Sequence, residues 1–110
     1  MADVTCLERR AWLHAANMTP DKLKTAGRSM IEAGFLSDAV DFLAKAGDRE
    51  GLARVIEIVI GEGDVFLFTR ALKALGRQAT EAEWDQLEQT AVRLGKQAFA
   101  ARAAEMRAAG

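Results

Sequence analysis

"RVIEIVIGEGDVFLFTR", residues 54–70, decides the fold, because it admits two opposed readings. Two runs of β-branched and aromatic residues flank Gly61-Glu62-Gly63-Asp64, and taken locally they match a β-hairpin. An isolated two-stranded hairpin is marginal in water. Both flanks, Glu50 to Arg54 and Arg70 to Leu75, also read as helix that would have to stop without a breaker. The stretch is therefore read as two helices apolar around most of their circumference, as expected for elements sandwiched between neighbours.

Working outward, polar starts and glycine stops divide the chain into seven helices. The first runs from about Val4 to Ala16 after Asp3, with Leu7, Ala11 and Trp12 toward one face. Thr19-Pro20 opens the second, which ends at Gly34; proline at the first helical position loses no hydrogen bond there. Ser37 or its neighbour opens the third, stopped by Gly47. Asp48 caps the fourth, to about Gly61, and Asp64 the fifth, ended by Gly76. Thr80 with Glu83 forms a capping box for the sixth, which stops at Gly95. An alanine-rich seventh covers roughly Gln97 to Ala108.

Composition agrees with packed helices. Half of the 110 residues are hydrophobic, much of that half is alanine, tyrosine is absent and Pro20 is the only proline. A chain of this length predicts one domain. The net charge is −1, and the segments ending at residues 19, 48, 80 and 110 carry 0, −1, +1 and −1, so no basic face is available for a phosphate backbone and nucleic acid is not the expected partner. The longest apolar run, Val65 to Phe68, is far short of a membrane span, and the N-terminus lacks a signal-peptide core. A soluble, cytoplasmic protein without membrane partners is expected. Cys6 is the only cysteine and His14 the only histidine; eight residues apart, two such ligands make a poor metal site.

An internal repeat organises the rest. Leu23, Ala26, Gly27, Met30, Gly34, Ala39 and Leu43 recur twenty-nine residues later as Leu52, Val55, Ile56, Val59, Gly63, Phe68 and Leu72. Thirty-two residues further on, the same slots hold Trp84, Leu87, Glu88, Ala91, Gly95, Ala100 and Ala104. Every slot except Glu88 is apolar or glycine.

Over residues 20 to about 107 this pattern resembles the tetratricopeptide repeat, whose first helix carries W-x-x-L-G-x-x-Y and whose second carries A-x-x-x-F. Leu23, Ala26, Gly27, Met30, Ala39 and Leu43 match in the first pass, and Trp84 with Leu87 in the third. The steps are shorter than the family's 34 residues and no proline closes a repeat, which marks the resemblance as divergent. The expected fold is all-α: a right-handed stack of about three antiparallel helical hairpins, residues 20–48, 49–80 and 81–110, behind an N-terminal capping helix over residues 1–19.

In such a stack the first helices of successive hairpins line a concave surface, the usual binding face of the family. With Leu23 and Met30 inward, the opposite register holds Lys24, Arg28 and Ile31, then Ala53, Glu57 and Ile60, then Asp85, Gln89 and Val92. Lys24, Arg28, Ile31, Glu57, Asp85 and Gln89 are the candidate groove residues, positive at one end and negative at the other. Ile31, Ile60 and Val92 read as a packing seam rather than a groove floor. Lys24 fits the first place of the clamp with which some family members grip a terminal carboxylate. Arg28, Arg54, Ala82 and Gln86 stand at other places of that pattern, so that specific function is not carried over.

No arrangement suited to catalysis is evident. His14 has no sequence feature placing Cys6, Ser29 or Ser37 beside it, the pairs Asp38 with Asp41 and Glu81 with Asp85 fit solvated helix faces, and Gly61-Glu62-Gly63 lacks the lysine of a phosphate loop. The expectation is a non-enzymatic protein-interaction module without cofactor or metal, binding a protein or peptide segment. The alternative is a structural subunit, self-associating through the C-terminal helix with Ala98, Phe99, Ala103 and Met106, or a fragment of a larger scaffold.

Overall fold

A computed structural model describes residues 19–109, so the expected first helix, with Cys6, Trp12 and His14, lies outside the described residues. Among the described residues there are six α-helices and no strand: α1 (Pro20–Ala33), α2 (Leu36–Ala46), α3 (Arg49–Glu62), α4 (Val65–Leu75), α5 (Glu81–Arg93) and α6 (Gln97–Ala109). The chain is all-α, and residues 54–70 are helical on both sides of Gly63-Asp64. The burial pattern explains why. Val55, Ile56, Val59 and Ile60 are buried while Arg54, Glu57 and Gly61 are exposed, a helical spacing that an alternating strand cannot produce.

Local chemistry sets the helix ends. Thr19 accepts the Lys22 amide at 3.2 Å, and α1 closes where the Gly34 and Phe35 amides turn back to the carbonyls of Ile31 and Met30 at 3.0 and 2.8 Å. Asp64 accepts the Leu67 amide at 3.0 Å, and Thr80 with Glu83 forms the full reciprocal box. α2 opens at Leu36, the neighbour of Ser37; Phe35 holds the cap position with no side-chain cap bond and Ser37 falls within the first turn.

Two compact units divide the chain, one up to Val55 and one from Ile56, with α3 contributing to both. In the first, α1 packs on α2 through Leu23, Ala26 and Phe42, with Ala46 against them. At its centre Leu43 is fully buried between two glycines. A Cβ on Gly27 would stand 2.7 Å from Leu43 Cδ2, and one on Gly51 would stand 2.9 Å from the same atom and 2.6 Å from Asp48 Oδ2. Both glycines lie inside helices, where glycine is unfavourable, so close packing accounts for them.

In the second unit α5 packs on α6, and α4 also touches α6. The Trp84 ring meets Phe68 edge-on, centroids 4.9 Å apart. Gly63 has φ of +68°, and a Cβ there would lie 3.0 Å from the Ala91 backbone, so both its conformation and its surroundings require glycine. Nearby, Lys96 Nζ donates to the Glu62 carbonyl at 2.7 Å, tying the last turn of α3 to the start of α6.

The slots of the three-pass pattern are buried or hold left-handed glycines, apart from the half-buried Glu88 and Ala104. The Ile31, Ile60 and Val92 register does not behave as a uniform seam: Ile31 and Ile60 are buried, but Val92 is 62% exposed.

Glycine substitutions separate packing from helix propensity. Gly27→Ala is expected to destabilise the chain by about 1–2 kcal/mol, overpacking against Leu43 outweighing roughly 1 kcal/mol of propensity gain. In a Leu43→Ala background the same change becomes neutral or favourable. Gly61, which has nothing within 4 Å of its Cβ position, is expected to gain about 0.5–1 kcal/mol on change to alanine. Urea unfolding of the four variants checks this; a stabilising Gly27→Ala in the native background contradicts the packing.

Candidate interaction surface

Of the expected groove residues, Lys24, Arg28 and Ile31 lie on α1, Glu57 on α3, and Asp85 and Gln89 on α5. Lys24, Glu57 and Gln89 are exposed, Arg28 and Asp85 are partly buried, and Ile31 is buried. Ile31 is thus a packing residue, while the exposed three retain the surface position expected of them.

Arg28 is committed within the first unit. Its Nε and Nη2 donate to Oδ2 and Oδ1 of Asp48 at 2.8 and 3.0 Å, and Nη2 lies 3.7 Å from Glu50. This two-pronged geometry matches the planar guanidinium to the carboxylate. Asp48 does a second job: its Oδ1 accepts the Gly51 amide at 3.1 Å, capping α3. With its side chain only 3% exposed, Asp48 is the buried end of the pair, and the hydrogen bonds from Arg28, then from Gly51, hold its carboxyl below the usual carboxylate range despite burial. Beside it, an open pocket lined by Lys24, Asp21, Asp48, Arg49 and Glu50 mixes both signs of charge.

The second unit spends its charges similarly. Arg107 of α6 donates to Asp85 at 2.8 Å and lies 2.7 Å from Glu88, while Gln89 Nε2 donates to Asp85 at 2.9 Å. Arg77, before α5, grips Glu83 with both terminal nitrogens at 2.9 and 2.8 Å, which lowers the Glu83 carboxyl below its ordinary value. Arg28 and Asp85, expected to meet a partner, are therefore each held by a neighbour in their own unit.

Sequence reasoning missed a cleft of about 630 Å³ in the second unit. Leu72 and Lys73 of α4, Arg77, Gln78 and Ala79 of the connecting segment, Trp84 of α5 and Met106 of α6 line it. Its components are far apart in the chain, and of them only Leu72 and Trp84 are slots of the repeat. Among the described residues no group of three or more His, Cys, Asp or Glu side chains is placed to hold a metal ion, and no helix is long and apolar enough to cross a membrane. Comparison with protein-family models, curated proteins and solved structures finds no match to this chain.

The Asp48 pair carries a stability prediction. Asp48→Ala removes the cap and leaves Arg28 without its partner, a loss of about 2 kcal/mol after allowing for the exposure of the guanidinium. Asp48→Asn retains a capping oxygen and is expected to lose less. Because the folded chain holds Asp48 below its unfolded value, the unfolded state takes up the proton first. The stabilisation is full above about pH 4 and is lost as pH falls through the folded pKa. Urea unfolding at pH 7 and pH 3 should show the gap between native and Asp48→Ala chains narrowing in acid; a gap that widens contradicts the linkage.

Proposed function

We propose that this chain is a non-enzymatic protein-interaction module, a divergent tetratricopeptide-like right-handed stack of three helical hairpins behind an N-terminal capping helix, seven helices in one cytoplasmic domain. The observation that carries the reading is the recurrence of burial: most slots of the three passes are buried, the turn glycines Gly34 and Gly95 and the half-buried Glu88 and Ala104 apart, while Lys24, Glu57 and Gln89, at the opposite register, are exposed. A surface left by such packing suits recognition of a protein or peptide segment rather than nucleic acid, since the charges alternate in sign.

Self-association is the second reading. It would use the C-terminal helix, where Ala98 is exposed and Phe99 and Met106 are half-buried while Ala103 is buried, with the exposed Phe66, Val92 and Leu94 as further apolar surface.

Affinity capture from the native source with the intact chain, compared with a Lys24→Glu, Glu57→Lys double variant, tests the first reading. Both sites are exposed, so the fold is expected to persist, and the variant should lose captured proteins that the native chain retains. Identical captures would remove the groove assignment. Light scattering at two concentrations tests the second, a dimer that persists on dilution favouring it.

A further inference from the structure

The cleft of the second unit has a floor and a rim of different chemistry. Leu72 and Trp84 are nearly buried and Met106 is half-buried, giving an apolar floor. The contact with Phe68 fixes the Trp84 ring, whereas the unbranched Met106 side chain can adapt to what it meets. The charged lining residues are Lys73 and Arg77, both cations, and no carboxylate lines the cleft.

The two cations are presented differently. Arg77 is fixed in advance: its fork to Glu83 is joined by a hydrogen bond from Nη1 to the Gln78 carbonyl at 2.9 Å. That carboxylate already answers its charge, so Arg77 shapes the wall of the cleft and Lys73 is left as the cation that can meet an anion. Lys73 is exposed in the last turn of α4. A volume of about 630 Å³ accommodates a few side chains and not a folded partner's face. Two cations are too few to hold a nucleic-acid backbone. An apolar floor beside the Lys73 ammonium is complementary to a short segment in which an aliphatic residue neighbours a carboxylate.

We propose that this cleft docks an acidic, leucine- or methionine-bearing peptide segment of a partner protein, its apolar side chain on Leu72, Trp84 and Met106 and a neighbouring carboxylate at Lys73. This rests on the interaction reading above and adds a location and a partner chemistry. It also gives Lys73 and Met106 roles that the repeat register does not assign.

Selection of a random heptapeptide library on the intact chain tests the assignment. Enriched peptides should combine Asp or Glu with Leu, Met or Phe. A synthetic peptide of the enriched consensus should shift the amide resonances of Leu72 and Lys73 and the Trp84 indole. Lys73→Glu, at an exposed site, should leave thermal stability unchanged and weaken that peptide about tenfold, with a smaller effect at high salt. Basic consensus sequences, equal affinity for Lys73→Glu, or no enrichment at all would each overturn the cleft assignment. Peptides that instead shift residues around Lys24, Glu57 and Gln89 overturn the cleft while leaving the interaction reading standing. Loss of both that response and the source capture removes both.

Discussion

The seat of Leu43 is the constraint on which the first unit depends. One methyl group occupies the space that a side chain at either Gly27 or Gly51 would need, so α2 lies close to α1 and to the first turn of α3 at the same point. Burying this side chain contributes on the order of 2 kcal/mol from apolar transfer alone. The consequence extends further than packing. The missing Cβ at Gly51 also leaves space for the Asp48 carboxylate, which can then accept both the Gly51 amide and the Arg28 guanidinium. Hydrophobic seat, helix cap and ion pair share one position, and none can be altered without disturbing the other two.

That coupling bears on function by subtraction. A cation on an exposed helix face ordinarily remains available to a ligand, but Arg28 has two hydrogen bonds to a buried carboxylate whose own desolvation would be uncompensated if it left. Asp85 is engaged too, by Arg107 and Gln89, but its half-exposed carboxylate is held less firmly. Charges free to discriminate partners are those at exposed positions such as Lys24, Glu57 and Lys73, where a contact adds electrostatic complementarity without first breaking one.

What could be read from the sequence was local. The helix ends at Thr19, Gly34, Asp64 and Thr80 depend on residues within four positions, and the slot pattern records packing that repeats along the chain. The start of α2 was read to within one residue, at Leu36 beside Ser37, although Phe35 rather than a polar side chain takes the cap position. Arg28 read as a groove cation because its partner lies twenty residues away, outside the helix that made its register visible. Val92 occupies the register of two buried isoleucines yet is exposed, since the same helical position meets different neighbours in each pass. The cleft joins α4, α5 and α6, and no single-helix pattern announces such a site.

The slot that departs most from the pattern shows how one register can be met by different physics. In the first pass it holds Gly27, and the lack of a side chain allows Leu43 to press against α1. In the third it holds Glu88, half-buried, which pairs with Arg107 on α6 at 2.7 Å, while Asp85 one turn earlier engages the same guanidinium. A pair with this exposure contributes about 0–1 kcal/mol, so it cannot replace the packing at Leu43 in energy. It adds direction to the attachment of α6, which packs on α5 and also meets α4, with Ala100 and Ala103 buried, and which supplies Met106 to one wall of the cleft.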